Sequence, residues 1–190
     1  MNWTTYTSKF KEILDGSFTE SPYDKADYIE FVKLNNSRLN RWNKKLEIPE
    51  DALDVINKIE APQTWILIVE HWCGDAANMA PVINKIAESN KNITLDIQLR
   101  DSEPFLIDQY LTNGGKSVPK LIVRDENDKD LFTWGPRPSQ CQAMVMRNKE
   151  SEMTAHDKKH AIQLWYNVDK GQSAFKEIAA EIEKTILVEV

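Results

Sequence analysis

Trp65-Ile66-Leu67-Ile68-Val69-Glu70-His71-Trp72-Cys73-Gly74-Asp75-Ala76 is the stretch that decides the architecture of this chain. Its first five residues are continuously apolar and follow Pro62, the pattern of a strand buried on both faces. From Ala76 to Ser89 the apolar residues Met79, Val82, Ile83, Ile86 and Ala87 recur at helical spacing. Cys73 therefore falls where a buried strand ends and a helix opens. Unpaired amide N–H groups and the positive end of the helix dipole favour a thiolate there, and thiolate is the reactive form of cysteine. The carboxyl edge of such a strand is also where open α/β sheets place their ligand sites.

Working outward, Ile93, Leu95, Ile97 and Leu99 alternate with polar residues and predict a second strand. Strand, helix and strand at these lengths imply a parallel pair with a right-handed crossover. Pro104 to Leu111 reads as a short helix stopped by Asn113-Gly114-Gly115. Leu121-Ile122-Val123 and Leu131-Phe132-Thr133-Trp134 flank the polar turn Asp125–Asp130 and predict a hairpin. That turn lacks the Gly and Glu positions of a calcium loop. Gly135-Pro136-Arg137-Pro138 ends the last strand, and a helix follows from about Ser139 with Cys141, Met144 and Val145 at core spacing.

The flanks read as helix. Phe10, Ile13 and Leu14 lead to a stop at Asp15-Gly16, and Ser21-Pro22 signals the start of a long helix carrying Tyr28, Phe31, Val32, Leu39 and Trp42. Asn35-Asn36 is the weak point of that helix. The aromatic series Tyr28, Phe31 and Trp42 is expected to pack the N-terminal helices against the sheet. A short helix runs from Pro49 to Ile59. After the polar stretch Lys149–Lys159, the last helix spans about Ser173 to Ile186. The expected fold class is α/β: a mixed four-stranded sheet with helices on both faces. It divides into an N-terminal helical extension (1–48), a core (49–150) and a C-terminal helical extension (151–190).

The chain has 190 residues, with 24 Lys and Arg against 30 Asp and Glu, a formal net charge of −6. That balance argues against a general nucleic-acid or anionic-membrane binder. No apolar run approaches the roughly 18 residues of a membrane span, and the N-terminus has no signal-peptide pattern. Two cysteines cannot build a disulfide framework. A reducing cytoplasm is the expected compartment.

Trp72-Cys73-Gly74 resembles the Trp-Cys-Gly that opens the thioredoxin active-site motif, Trp-Cys-Gly-Pro-Cys. Pro81 lies where thioredoxins carry the proline of this helix, and Ser117-Val118-Pro119 resembles their cis-proline loop. Gly135-Pro136 occupies the turn that lines the same groove. The resemblance covers roughly residues 50–150 and implies a thioredoxin-like fold. It implies Cys73 as nucleophile, with Trp72, Gly74, Asp75, Val118, Pro119 and Arg137 around the substrate. Two departures matter. Ala76 replaces the second, resolving cysteine, so the intramolecular dithiol cycle cannot run at this motif. Leu67 stands where thioredoxins place a buried carboxylate.

The leading expectation is accordingly a monothiol redox protein acting by thiol–disulfide or glutathione mixed-disulfide exchange through Cys73. It needs no resident cofactor, although glutathione could serve as co-substrate, and its partner would be a protein or a small thiol or disulfide. The competing expectation is a catalytically degenerate thioredoxin-fold binding module. Asp75 brings a negative charge near the thiol and should raise its pKa. Arg137, between two prolines, is either an anion clamp for a carboxylate or the salt-bridge partner of Asp75. Cys141 reads as a core residue, with a resolving thiol as the alternative. His71 reads as a solvated or packed strand-end residue. His156 and His160 share a helix face but lack a third metal ligand.

Overall fold

A computed structural model describes residues 1–188. Its strands are β1 (Gln63–Val69), β2 (Ile93–Leu99), β3 (Lys120–Arg124) and β4 (Asp130–Trp134), joined in the order β2-β1-β3-β4. β1 pairs parallel with β2, setting Leu67 opposite Ile97. On its other side β1 pairs antiparallel with β3, setting Leu67 opposite Leu121. β3 and β4 form the antiparallel hairpin. Because β1 is central, Trp65 to Val69 are all buried, which is what the unbroken apolar run requires. β2 lies at an edge, and only Ile93 and Ile97 of its alternating residues are fully covered.

Seven helices surround the sheet among the described residues: α1 (Trp3–Leu14), α2 (Ala26–Lys45), α3 (Glu50–Ile56), α4 (Gly74–Ser89), α5 (Ser139–Lys149), α6 (Ala155–Asp169) and α7 (Gln172–Val188). α1 starts at Asn2, whose side chain accepts from the Thr5 amide at 2.9 Å, and buries Tyr6, Phe10 and Ile13 at helical spacing. α4 is apolar almost all round because it packs against β1 and β2 and is also touched by α2, α3 and α7. One continuous hydrophobic core joins α1 and α2 to the sheet and α7.

Four expectations about elements change. The long helix begins at Ala26 rather than Ser21-Pro22, since residues 21–24 form a turn. Asn35-Asn36 does not interrupt it. Asn35 is buried and donates to the backbone carbonyl of His71 at 2.9 Å, so a tertiary bond outweighs weak helix propensity. Phe31 leaves the packing face and is 40% exposed. The segment Pro104–Leu111 forms only a single 3-10 turn, Leu106–Gln109.

Candidate functional site

Cys73 is the N-cap of α4, one loop beyond the end of β1. Its thiol donates to the carbonyl oxygen of Val118 at 3.2 Å. The Val118–Pro119 peptide bond is cis, and both residues are buried. Gly135 packs its backbone against the Pro119 carbonyl at φ +112°, so the loop after β4 meets the loop before β3 one residue from the carbonyl that accepts the thiol.

The electrostatics hold that sulfur as a thiol. Cys73 is only 8% exposed, and burial, followed by the Asp75 charge, pushes its pKa up to about 12. Backbone amides of Ala76 and Asp75 and the Arg137 guanidinium act in the opposite direction and are outweighed. The helix start supplies the expected donors, but desolvation exceeds their effect. Ala76 is fully buried at the position of a second thiol.

Asp75 is the hub of the site. Its carboxylate accepts from Arg137 Nη2 at 2.6 Å and from the Tyr166 hydroxyl at 2.8 Å. Arg137 also donates through Nη1 to Gln142 Oε1 at 3.0 Å. The guanidinium is therefore committed to Asp75, the second of the two roles open to it in the sequence. Cys141 is fully buried in the same neighbourhood, and burial followed by Asp75 pushes its thiol up to about 12. Both cysteines are free thiols.

Trp72 is half-buried, edge-on to Tyr28 at 6.1 Å between ring centroids, with the Arg100 guanidinium 4.7 Å from its own ring centroid. Gly74 lies beneath α2: a Cβ there would stand 3.2 Å from Arg38 Nη1. Asn78, one turn into α4, accepts from Trp42 Nε1 at 2.8 Å. The helical extensions thus cover the start of α4 from both sides, α2 through Asn35, Arg38 and Trp42 and α6 through Tyr166.

Sequence reasoning missed Glu70. Leu67 occupies the familiar carboxylate position, yet Glu70 is 3% exposed, accepts from the Tyr23 hydroxyl at 3.2 Å and from the Asp101 amide at 3.1 Å, and has its pKa raised by burial. An acid directly after an apolar strand was the available signal. His71, beside it, is buried among the rings of Tyr6 and Phe10, 4.6 and 4.7 Å away, with Nε2 on the Tyr6 carbonyl at 3.1 Å. Burial lowers its pKa from 6.5 to about 4, so the fold holds it neutral.

The unfolded chain therefore binds a proton on His71 before the folded protein does. Its contribution is complete above pH 6.5 and is lost as pH falls toward 4, a loss on the order of 3 kcal/mol. Urea denaturation across that window should show the decline. His71→Gln, which keeps a donor for the Tyr6 carbonyl, should flatten it; an unchanged slope in the variant would contradict a neutral buried imidazole.

With the geometry in place, the comparisons are direct. A family model described as thioredoxin matches residues 23–185, most of the chain, from before α2 into α7 but not α1. The chain belongs to this thioredoxin family. No curated protein matches it. Among solved structures, this thioredoxin-family chain is similar to a protein of unknown function, PA1234, from Pseudomonas aeruginosa. The TM-score is 0.60 with 19% identity, covering 82% of this chain and 90% of that one. It is also similar to an HIV epitope scaffold, with a TM-score of 0.57 and 20% identity over 82% of this chain and 90% of the scaffold. At these identities the likeness concerns the fold. No helix among the described residues is long and apolar enough to cross a membrane.

Proposed function

We propose that this thioredoxin-family chain is a binding module, in which the fold holds a protein partner and Cys73 rests as a protonated thiol. One observation carries the reading: the Cys73 thiol is buried, donates its proton to the Val118 carbonyl at 3.2 Å, and is held up to about 12 by burial and Asp75. A thiol held so far above its ordinary pKa is protonated at neutral pH, which leaves little nucleophile. The committed Asp75–Arg137 pair and the buried Ala76 support the same reading, since neither an anion clamp nor a resolving thiol stands free. The expected setting is a reducing cytoplasm, where both thiols stay reduced.

Monothiol exchange is the second reading, and it is favoured by the two α4 amides that face the sulfur beside a proline loop. In that chemistry the Cys73 thiolate attacks one sulfur of glutathione disulfide. The new S–S bond joins Cys73 to one glutathione, and the other leaves as a thiolate that takes up a proton. Intact mass after incubation with glutathione disulfide at pH 7.5 separates the readings. The binding module stays unmodified at Cys73 over hours in the folded state and is modified only on unfolding. Rapid gain of one glutathionyl group by the folded protein would instead establish exchange. Retention on immobilised glutathione, blocked by free glutathione, would point to a transferase-like use of the groove.

A further inference from the structure

Charge is distributed unevenly in this acidic protein. Between Phe31 and Leu46 the chain carries Lys33, Arg38, Arg41, Lys44 and Lys45 and not one Asp or Glu. All 30 acidic residues of the chain therefore lie outside this segment, against the 19 Lys and Arg left when these five are taken from 24. The segment is the body of α2. Among the described residues, none of its five cations has a carboxylate within 4.0 Å, although pairs form elsewhere in the molecule. Arg38 and Arg41 are half-buried and hold neutral amides: Arg38 donates to Asn35 Oδ1 at 2.9 Å and Arg41 to Asn167 Oδ1 at 2.7 Å. Arg38 lies within electrostatic reach of Asp75, but that carboxylate is taken by Arg137 and Tyr166.

The same flank of α2 is apolar at its other end. Phe31, Leu34, Arg38 and Arg41 recur three and four residues apart and so share a face. Phe31 and Leu34 are 40% and 53% exposed. Partly desolvated guanidiniums without an acid are costly unless something supplies one. Two exposed apolar side chains lie next to them, and the Lys159 ammonium sits 5.1 Å from the Phe31 ring centroid, adding a further cation to the same patch.

We infer that the Phe31–Lys45 face of α2 docks an acidic, amphipathic segment of a partner protein, with apolar side chains over Phe31 and Leu34 and carboxylates on Arg38, Arg41 and Lys45. Charge complementarity selects this occupant. A polyphosphate backbone brings no apolar side chains and would not use Phe31 and Leu34. Since Arg38 overlies Gly74, a partner seated here lies against the Cys73 loop. The inference rests on the binding-module reading and gives it a partner class.

The test uses the full chain and a fluorescein-labelled peptide of glutamates with leucine at every fourth position. Anisotropy should report saturable binding that weakens as salt rises. Lys33 and Lys45 are exposed and have no side-chain partner among the described residues, so Lys33→Gln and Lys45→Gln fold normally. Lys45→Gln, on the docking face, should weaken binding by about two- to fivefold, and Lys33→Gln, which projects to the side of it, should weaken it less. Arg38→Gln with Arg41→Gln should weaken it about tenfold or more, and Leu34→Ser should weaken it without changing the salt slope. No peptide binding, or equal binding by wild type, Lys45→Gln and the double arginine variant, would overturn the inference. So would tighter binding of a single-stranded oligonucleotide through Arg38, Arg41 and Lys45, which would assign the face to nucleic acid. Peptide binding that survives Cys73→Ala separates this outcome from the thiol question, which glutathione disulfide answers by itself.

Discussion

Gly135→Ala is expected to destabilise the protein by about 3 kcal/mol or more. Gly135 has φ +112°, where a side chain is strained, and its added Cβ would collide with the carbonyl oxygen of Pro119. The obstacle is backbone, and it cannot turn aside as a side chain would. Pro119 is fixed in turn by Val118, whose carbonyl accepts the Cys73 thiol. Gly114→Ala is the matched comparison. Gly114 has φ +77° but nothing within 4 Å of its added Cβ, so only backbone strain of about 1 kcal/mol is expected there. Urea midpoints of the two variants measure the difference. Equal losses would mean that the contact between Gly135 and Pro119 does not constrain the site.

Asp75→Asn is expected to lower stability by roughly 2 kcal/mol or more while making the Cys73 thiol more acidic. Stability falls because Arg137, whose side chain is only 20% exposed, loses its counter-charge while Tyr166 keeps an acceptor. Acidity rises because the charge that opposes the thiolate is gone and the Asp75 and Ala76 amides still face the sulfur. Arg137→Gln breaks the same pair from the other side. It should also destabilise, but it should leave the thiol harder to ionise than in wild type, since Arg137 favours the thiolate. Opposite shifts in thiol acidity with parallel losses of stability are the signature expected of Asp75 as the hub. Parallel shifts in both would contradict that role.

Much of this site is legible in the sequence. The apolar run Trp65–Val69 predicted a central strand because only a strand covered on both faces tolerates it, and β1 has neighbours on both sides. Cys73 at the start of α4 and Val118-Pro119 beside it followed from motif and spacing. The exposure of the thiol did not. Solvent access at Cys73 depends on where α2, α6 and the Gly135 loop settle, and those are long-range packing choices that local patterns do not encode. Asn35 misled for a similar reason: its amide is a poor helix former in isolation, but it has a carbonyl partner 36 residues away. Glu70 is not legible because its partners, Tyr23 and the Asp101 amide, lie 47 and 31 residues away. Composition misled as well, since a net charge of −6 averages over a helix whose last 15 residues, Phe31–Lys45, hold five cations and no acid.

The most direct test of the central claim is the rate of Cys73 alkylation by iodoacetamide as a function of pH, in Cys141→Ala protein to leave one thiol. The resting-thiol account predicts a rate far below that of a free cysteine at pH 7.5, still rising at pH 10 with no plateau, and accelerated by Asp75→Asn. A plateau reached below pH about 8.5, with a rate equal to or above that of free cysteine, would contradict it.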